Sequence, residues 1–283
     1  MPRIVTTIDE LNRLAERAEP SVRRAIRDAT ARLQRQMTAA QLASGRIPAD
    51  LLRRSLASLQ VAFAALLERT MRLSYDALVQ GISFRLVNPD AVLAALSRQH
   101  GARLVKAVGE DVKAGLRRTT ARSVRLGTPA RTTAKIMRQQ VGLGPWQVRS
   151  LQRQQAELIR QGYSGDRLAT AMARRSKKAL VYRTETIART ETIRAANLGQ
   201  QAIWEKMERL RNTGPGTKAD YRRRWFVSPD SRLCPICRSL NGQVRKLGEP
   251  FVSPRTGKAY KMPPAHPRCR CGMGLVLSTP RVA

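Results

Sequence analysis

Residues 234–237 read CPIC and residues 266–271 read HPRCRC, and these two runs hold every cysteine of the chain and one of its two histidines. In a Cys-x-x-Cys turn two thiolates can converge on one ion, and structural zinc takes four protein ligands in a tetrahedron. We therefore predict that the two runs fold around a metal ion. The candidate ligands are Cys234, Cys237, His266, Cys269 and Cys271.

The pairing of these ligands can be predicted in part. Cys234 and Cys237 supply one pair, and two of His266, Cys269 and Cys271 supply the other. In an extended segment Cys269 and Cys271 lie on the same side, which suits joint ligation. A catalytic zinc keeps one position open to water, whereas five available donors favour a closed, structural zinc. Reduced structural thiols, or disulfides formed after cell lysis, are the alternative interpretations.

The segment that carries the ligands, residues 213–283, is predicted to form a small Cys/His-rich module of mixed α and β structure. Residues 225–227 (WFV) indicate a short strand, and turn residues such as Asn241 and Gly242 recur along the segment. A segment so short and rich in loops buries little apolar surface. A bound metal would supply the missing folding energy.

The rest of the chain is predicted to be helical. Residues 1–125 carry apolar side chains at three- and four-residue spacing and form an N-terminal helical region, either a compact bundle or an extended arm. Residues 126–212 form a second helical segment, with one long helix from about Lys177 to Arg211. Pro20 is expected to interrupt the first helix. The fold class is therefore mainly α, with long N-terminal and central helices before the small loop-rich α+β module.

The charge of the chain is extreme. Of 53 basic residues 43 are arginine, against 20 acidic residues, and the formal net charge is +33. A GC-rich genome explains arginine in place of lysine, but it does not explain the excess of bases over acids. The planar guanidinium binds phosphate through two hydrogen bonds at once. Nucleic acid is therefore the expected polyanionic partner.

Two basic stretches are the candidate phosphate contacts. From residue 101 to 140 ten basic residues stand against two acidic ones, and residues 222–224 read RRR. Such a run is usually a solvated helix face, but here it matches the excess of the whole chain, so contact with nucleic-acid backbone is predicted. The predicted contacts are Arg103, Lys106, Lys113, Arg117, Arg118, Arg122, Arg125, Arg222, Arg223 and Arg224.

The predicted long helix contains a short repeat. The string RTETI at residues 183–187 recurs at residues 189–193. Six residues turn a helix by roughly 600°, so the two copies point about 120° apart and must have different roles. Glu191 lies on an apolar stripe of this helix. It is either a partly buried carboxylate that needs a partner, for example an arginine from elsewhere, or an ordinary surface glutamate.

These features occur together in a known family. The helix string IARTE at residues 187–191, with an asparagine and a glycine after it, is followed by a tryptophan, an aspartate before the CPIC run, and the HPRCRC run. The chain resembles, over about residues 130–275, the phage Mu protein F-like head morphogenesis family. Ala265 stands where that family has proline. The structural residues of the pattern are Arg189, Glu191, Asn197, Trp225 and Asp230.

The resemblance implies a minor head protein of a tailed bacteriophage, a structural component inside the capsid that aids assembly and DNA packaging or ejection. It implies the portal protein as partner, the major capsid or scaffolding protein as a further candidate, and packaged double-stranded DNA as a neighbour held by non-specific phosphate contacts. The expected location is the virion, in the capsid interior near the portal vertex, and the host cytoplasm during assembly. The sequence has no apolar run of about 20 residues, so a membrane partner is not expected.

Two other classes of function stay open at this point. A metal-dependent nuclease or toxin-like effector would act on nucleic acid, but it would need an exposed histidine beside a free metal position. His100, the second histidine, lies alone in a basic helix and is expected to be a surface residue. A zinc-containing DNA-binding regulator would read bases, whereas diffuse basicity and few aromatic residues suit phosphate contact better. A structural protein without catalysis is the preferred interpretation.

Overall fold

Long helices dominate the computed structural model, which describes residues 8–38, 41, 48–80, 89–125, 136–137, 139–213, 220–228 and 231–277. The mainly α fold with a small C-terminal strand module is as predicted. Within these ranges no helix is both long and apolar enough to cross a membrane. The long helices are α1 (Ile8–Gln36), α2 (Ala49–Gln80), α3 (Pro89–Arg125), α4 (Pro145–Arg160) and α5 (Gly165–Thr213).

Proline has different effects at different helix positions. Pro89 and Pro145 begin α3 and α4, where the missing N–H would have no partner in any case. The predicted interruption at Pro20 is wrong, because α1 continues through it. A proline removes a single backbone donor, and the turns on both sides keep their own hydrogen bonds. Helix α5 begins at Gly165, earlier than predicted, since the residues before Lys177 are mostly strong helix formers.

The chain divides into two compact units. Unit 1 comprises Met1–Pro20, Ala65–Ser97 and Thr186–Ala283, and unit 2 comprises Ser21–Ala64 and Arg98–Glu185. The predicted segments 1–125, 126–212 and 213–283 stay a prediction, because the units group residues by contact and each takes residues from both sides of residue 125. The two copies of the RTETI repeat are divided between the units, the first beginning in unit 2 and the second lying in unit 1.

Unit 1 contains the strands. Strand β1 (Tyr221–Phe226) pairs antiparallel with β2 (Val244–Lys246) on one side and β5 (Gly272–Leu277) on the other. A second sheet consists of β3 (Phe251–Val252) and β4 (Ala259–Tyr260). Side chains of β1 alternate between buried and exposed, as expected for a strand with one face on a core. The predicted short strand at residues 225–227 is therefore the end of a longer one.

The core of unit 1 lies where α5 meets the strands. Trp204 and Trp225 are almost fully buried, and the indole of Trp225 packs edge-on against Phe251 with ring centroids 5.1 Å apart. Met71 on α2 lies against Gly199 on α5, where an added Cβ would come within 3.2 Å of the Met71 Cα. Cys237 and Cys269 belong to the same buried cluster. The metal-ligand candidates are therefore part of the core rather than a surface attachment.

Candidate metal centre

The first half of the candidate metal centre is a tight turn into a short helix, α6 (Pro235–Leu240). Cys234 is its N-cap: the sulfur accepts a hydrogen bond of 3.3 Å from the backbone N–H of Cys237, and its carbonyl accepts one from Arg238. Pro235 occupies the first helical position, where its fixed φ is already correct. This local geometry turns both cysteine side chains to the same side.

The second half, residues 266–271, brings its donors to the same point. His266 Nε2 lies 3.1 Å from Cys234 Sγ and 3.1 Å from Cys237 Sγ, and Cys269 Sγ lies 3.7 Å from Cys237 Sγ. The five candidates form two overlapping triads, each with its donor atoms within 4.8 Å of one another. One is Cys234, Cys237 and His266, and the other is Cys237, Cys269 and Cys271. The two runs thus come together through Cys237, and the cluster could hold a metal.

His266 is oriented as a ligand histidine. Its Nδ1 lies 2.8 Å from the carbonyl oxygen of Pro267, so the Nδ1–H donates to this carbonyl and the lone pair is on Nε2. Metal-binding histidines commonly fix their tautomer through such a bond to a carbonyl. Nε2 points at the sulfurs of Cys234 and Cys237, where an ion would lie.

The cysteine thiols of the cluster differ in the direction in which their pKa values are shifted. Hydrogen bonds to Cys269 and Cys271, together with burial, raise the pKa of Cys237. Hydrogen bonds from Cys237 and Cys271 stabilise the thiolate of Cys269 and lower its pKa despite burial. Burial opposes ionisation of Cys234, but the N–H and side chain of Cys237 outweigh it and its pKa is lowered. Thiolates are the forms that bind metal, so two of the donors are already favoured in the binding form.

The turn before Cys269 is held by helix α5. Arg268 has a positive φ of 61°, which is uncommon for a residue with a side chain. Its backbone N–H donates to Thr190 Oγ1 at 2.9 Å, and its guanidinium reaches Thr186 Oγ1 at 3.5 Å. Thr190 in turn donates to the Thr186 carbonyl. The string IARTE thus positions the second half of the metal centre, a role that the sequence did not reveal.

The other residues of the helix pattern are structural. Glu191 is 7% exposed and pairs with Arg194 of its own helix at 3.5 Å, so of the two predicted alternatives it is the buried carboxylate. Arg189 binds Glu16 at 3.4 Å. Asn197 is fully buried and donates to the Ile193 carbonyl. Asp230 lies outside the described residues.

Arg223 corrects one of the phosphate-contact predictions. It is 2% exposed, donates to Gln201 Oε1 at 2.8 Å and to the carbonyl of Glu249, and lies over the ring of Phe251. Burial lowers the pKa of its guanidinium, although Glu205 and Glu249 favour the charged form. A side chain in this position cannot reach DNA. The period-two pattern of Tyr221, Arg223 and Trp225 is the signal that would have placed it inside.

The other predicted phosphate contacts are at least partly open to solvent. Arg222 and Arg224 alternate with Arg223 and are exposed. On α3 five of the seven predicted residues are exposed, and Lys113 and Arg122 are half-buried. At roughly 100° per residue these seven fall on one half of the helix, while Val108, Val112 and Leu116 lie on the buried half. The structure thus gathers them on a single face.

Comparison with known proteins identifies the family. A family model described as phage Mu protein F like protein matches residues 114–273, which is more than half of the chain. Neither the curated proteins nor the solved structures gave a match. The matched range includes both the IARTE string and all five ligand candidates, and the family supports a structural role in phage head morphogenesis. The chain therefore belongs to the phage Mu protein F-like family.

Proposed function

We propose that this protein is a minor head protein that lies inside the capsid, associates with the portal and aids head assembly and DNA packaging or ejection. The observation that carries the proposal is the family match over residues 114–273. The net charge of +33 supports the same setting, because the inside of a filled head is crowded with phosphate. In this proposal the protein has no catalytic role.

Portal association is tested by co-expression with the portal protein encoded by the same genome. A stable complex, or recruitment of the protein into procapsids that contain the portal, is expected. A protein that binds neither the free portal nor portal-containing procapsids would overturn this part of the proposal. Procapsids assembled without the portal are the matched control, and they should recruit much less of the protein.

DNA contact in this proposal uses the exposed face of α3. Five exposed basic residues on one half of the helix give a positive stripe that suits contact with phosphates. The double variant R117E/R118E should weaken binding to unrelated duplexes and reduce the slope of affinity against salt by about one per lost contact. The variant R149E/R153E makes the same charge change on exposed positions of α4. Equal losses from both variants would show that net charge, rather than this face, binds DNA.

We also propose that the metal is zinc and that its role is structural. Thiolate and imidazole donors suit zinc. Cys237 belongs to both triads, so any four-ligand set built on either triad includes it. The 3.7 Å between the sulfurs of Cys237 and Cys269 matches the edge of a tetrahedron with bonds of about 2.3 Å, which favours Cys269 as the fourth ligand after Cys234, Cys237 and His266.

Elemental analysis of purified protein tests the zinc assignment, with about one zinc per chain expected. The variants C269S and C271S test the fourth ligand. C269S should lose most of the zinc at equilibrium with a competing chelator, whereas C271S should keep it. The reverse order would reassign the fourth position to Cys271, and a metal-free protein with a folded C-terminal module would refute the metal centre.

A nuclease is the second candidate, and one observation favours it. A pocket of about 260 Å³ opens beside the ligands, and four arginines line it: Arg189, Arg232, Arg268 and Arg270. Both ring nitrogens of His266 are engaged, however, with the Pro267 carbonyl and with the cysteine sulfurs. His266 is thereby not left free to activate water beside the ion. The nuclease would be favoured if the protein cleaved DNA in a metal-dependent way and if H266A abolished the cleavage while the module stayed folded.

A further inference from the structure

An open groove in unit 2 carries chemistry that phosphate contact does not explain. It lies between α4 and the first part of α5 and has a volume of about 970 Å³. Three of the four aromatic residues of unit 2 line it: Trp146, Tyr163 and Tyr182. Trp146 is 62% exposed and Tyr182 is 50% exposed. Two large exposed rings in one groove are candidates for contact with a ligand, whereas Tyr163 is half-buried and packs against a core cluster of unit 2.

The groove has aromatic rings at both ends and cations between them. Gln147 lies 3.4 Å from Arg183, which places Trp146 and Tyr182 at one end. Gln154 accepts a hydrogen bond from Arg175 nearer the middle. At the other end Arg167 lies over the ring of Tyr163 at 4.0 Å. From Arg167 to Tyr182 the groove runs along roughly 22 Å of helix.

The cations form a row on one face of α5. Arg174, Lys178 and Tyr182 follow one another at four-residue spacing and all line the groove. Arg167 and Arg175 add two more charges, whereas Asp166 is the sole acidic residue in the lining. The groove therefore has a positive excess, which favours a polyanionic occupant.

We propose that this groove binds single-stranded nucleic acid, with bases stacked on the exposed rings and phosphates along the row of cations. Aromatic platforms combined with a basic track are the elements by which proteins hold single strands without reading sequence. A duplex hides its base faces, so it would use the cations and leave the rings unused. An acidic protein helix would need deep aliphatic pockets, and Leu151 is the one large aliphatic side chain in the lining. The proposal does not depend on portal association.

Tryptophan fluorescence tests the proposal on the full-length, metal-loaded protein. Trp204 and Trp225 are buried, so a change on binding reports Trp146. Oligo(dT) of about 20 nucleotides should quench the emission, because a stacked base contacts the indole. Oligo(U) of the same length shows whether RNA serves as well as DNA. Duplex DNA and polyglutamate should bind without this quenching, or not at all.

Variants separate the groove from general basicity. With labelled oligo(dT), W146A and R174E/K178E should each weaken binding about tenfold or more. R149E/R153E changes exposed charges outside the groove and should stay within about threefold of the native protein. Circular dichroism confirms that each variant keeps its helices. Equal affinity for duplex and single strand, equal losses from both charge variants, or tighter binding of polyglutamate would overturn the proposal.

Discussion

The two copies of the Arg-Thr-Glu string have the same residues and different surroundings. In unit 2 Arg183 is nearly buried and binds Asp111 at 2.8 Å, while Thr184 bonds only to a carbonyl of its own helix. In unit 1 Arg189 binds the exposed Glu16, and Thr190 holds the backbone of Arg268 beside the metal ligands. The first copy stabilises helix packing, and the second connects a helix to the metal centre.

The difference shows that the role of a short sequence motif depends on which side of the helix its side chains face. The predicted rotation of about 120° between the copies is enough to give them different neighbours. Unit 1 therefore combines a Cys/His cluster that could hold a metal, a helix string and a small core. Unit 2 depends on helix packing alone among its described residues. Each of the following predictions compares the effect of a change in unit 1 with its effect, or with that of a matched change, in unit 2.

Metal removal is expected to have the largest effect and to affect unit 1 alone. With a chelator present, trypsin should cut after Arg222, Arg224 and Arg238, because small metal-bound modules lose about 10 kcal/mol of folding energy without the ion. The helices of unit 2 should keep their hydrogen-exchange protection. Equal loss of hydrogen-exchange protection in both units would contradict the prediction that metal removal affects unit 1 alone. Unchanged resistance to trypsin would show that unit 1 does not need a metal to stay folded.

The arginines of the two copies should differ in the cost of their removal. R183A removes a nearly buried partner of Asp111, and we expect a loss of about 1 to 3 kcal/mol, moderated because Asp111 is half exposed. R189A removes a longer contact with an exposed glutamate and should cost less than about 1 kcal/mol. Urea denaturation measures both, and a larger cost for R189A would contradict the comparison.

Two helix glycines provide a matched pair. A Cβ at Gly199 in unit 1 would lie 3.0–3.2 Å from three atoms of Met71, including its Cα. G199A should therefore cost about 1 to 2 kcal/mol. At Gly109 in unit 2 the neighbours are the flexible ends of Leu52 and Leu56, so G109A should be neutral or stabilising by up to about 1 kcal/mol. Thermal melts should show a lower melting temperature for G199A and an unchanged or higher one for G109A.

The threonines give the smallest and most specific contrast. T190V keeps the shape of the side chain but leaves the Arg268 N–H without its partner, at a cost of about 1 kcal/mol. T184V loses only a bond to a carbonyl within its helix and should cost less. T190V should also speed zinc loss to a chelator, and T184V should not. Identical zinc release from the two variants would show that Thr190 does not position the centre.

The metal centre could be predicted because its information is local. Two cysteines three residues apart, and two that are two residues apart, restrict where their sulfurs point whatever the rest of the chain does. The helices could be predicted for the same reason, since apolar spacing is visible within a few turns. The prediction at Pro20 is wrong because an interior proline, which costs about 3 kcal/mol, can be tolerated within a 29-residue helix.

Contacts distant in sequence could not be predicted. Thr190 and Arg268 are 78 residues apart, and neither of the two sequence motifs indicates that these residues are in contact. The prediction for Arg223 is wrong because a run of three arginines suggests a solvated surface. In a strand, side chains alternate between the two faces, and the middle arginine faces the core. The groove between α4 and α5 needed the fold as well, because Trp146 and Tyr182 come together only when the two helices pair.

The division of the chain also sets an order in time. Every segment of unit 2 has been synthesised once Glu185 leaves the ribosome, whereas unit 1 still lacks its strands and all of its metal ligands. At about 5 to 20 residues per second, β5 follows about 5 to 20 s later. During this interval the apolar face of α5 that will pack on Trp225 has no partner. A nascent chain therefore passes through a stage at which unit 2 is complete and unit 1 is open, and it leaves that stage when the last strand arrives.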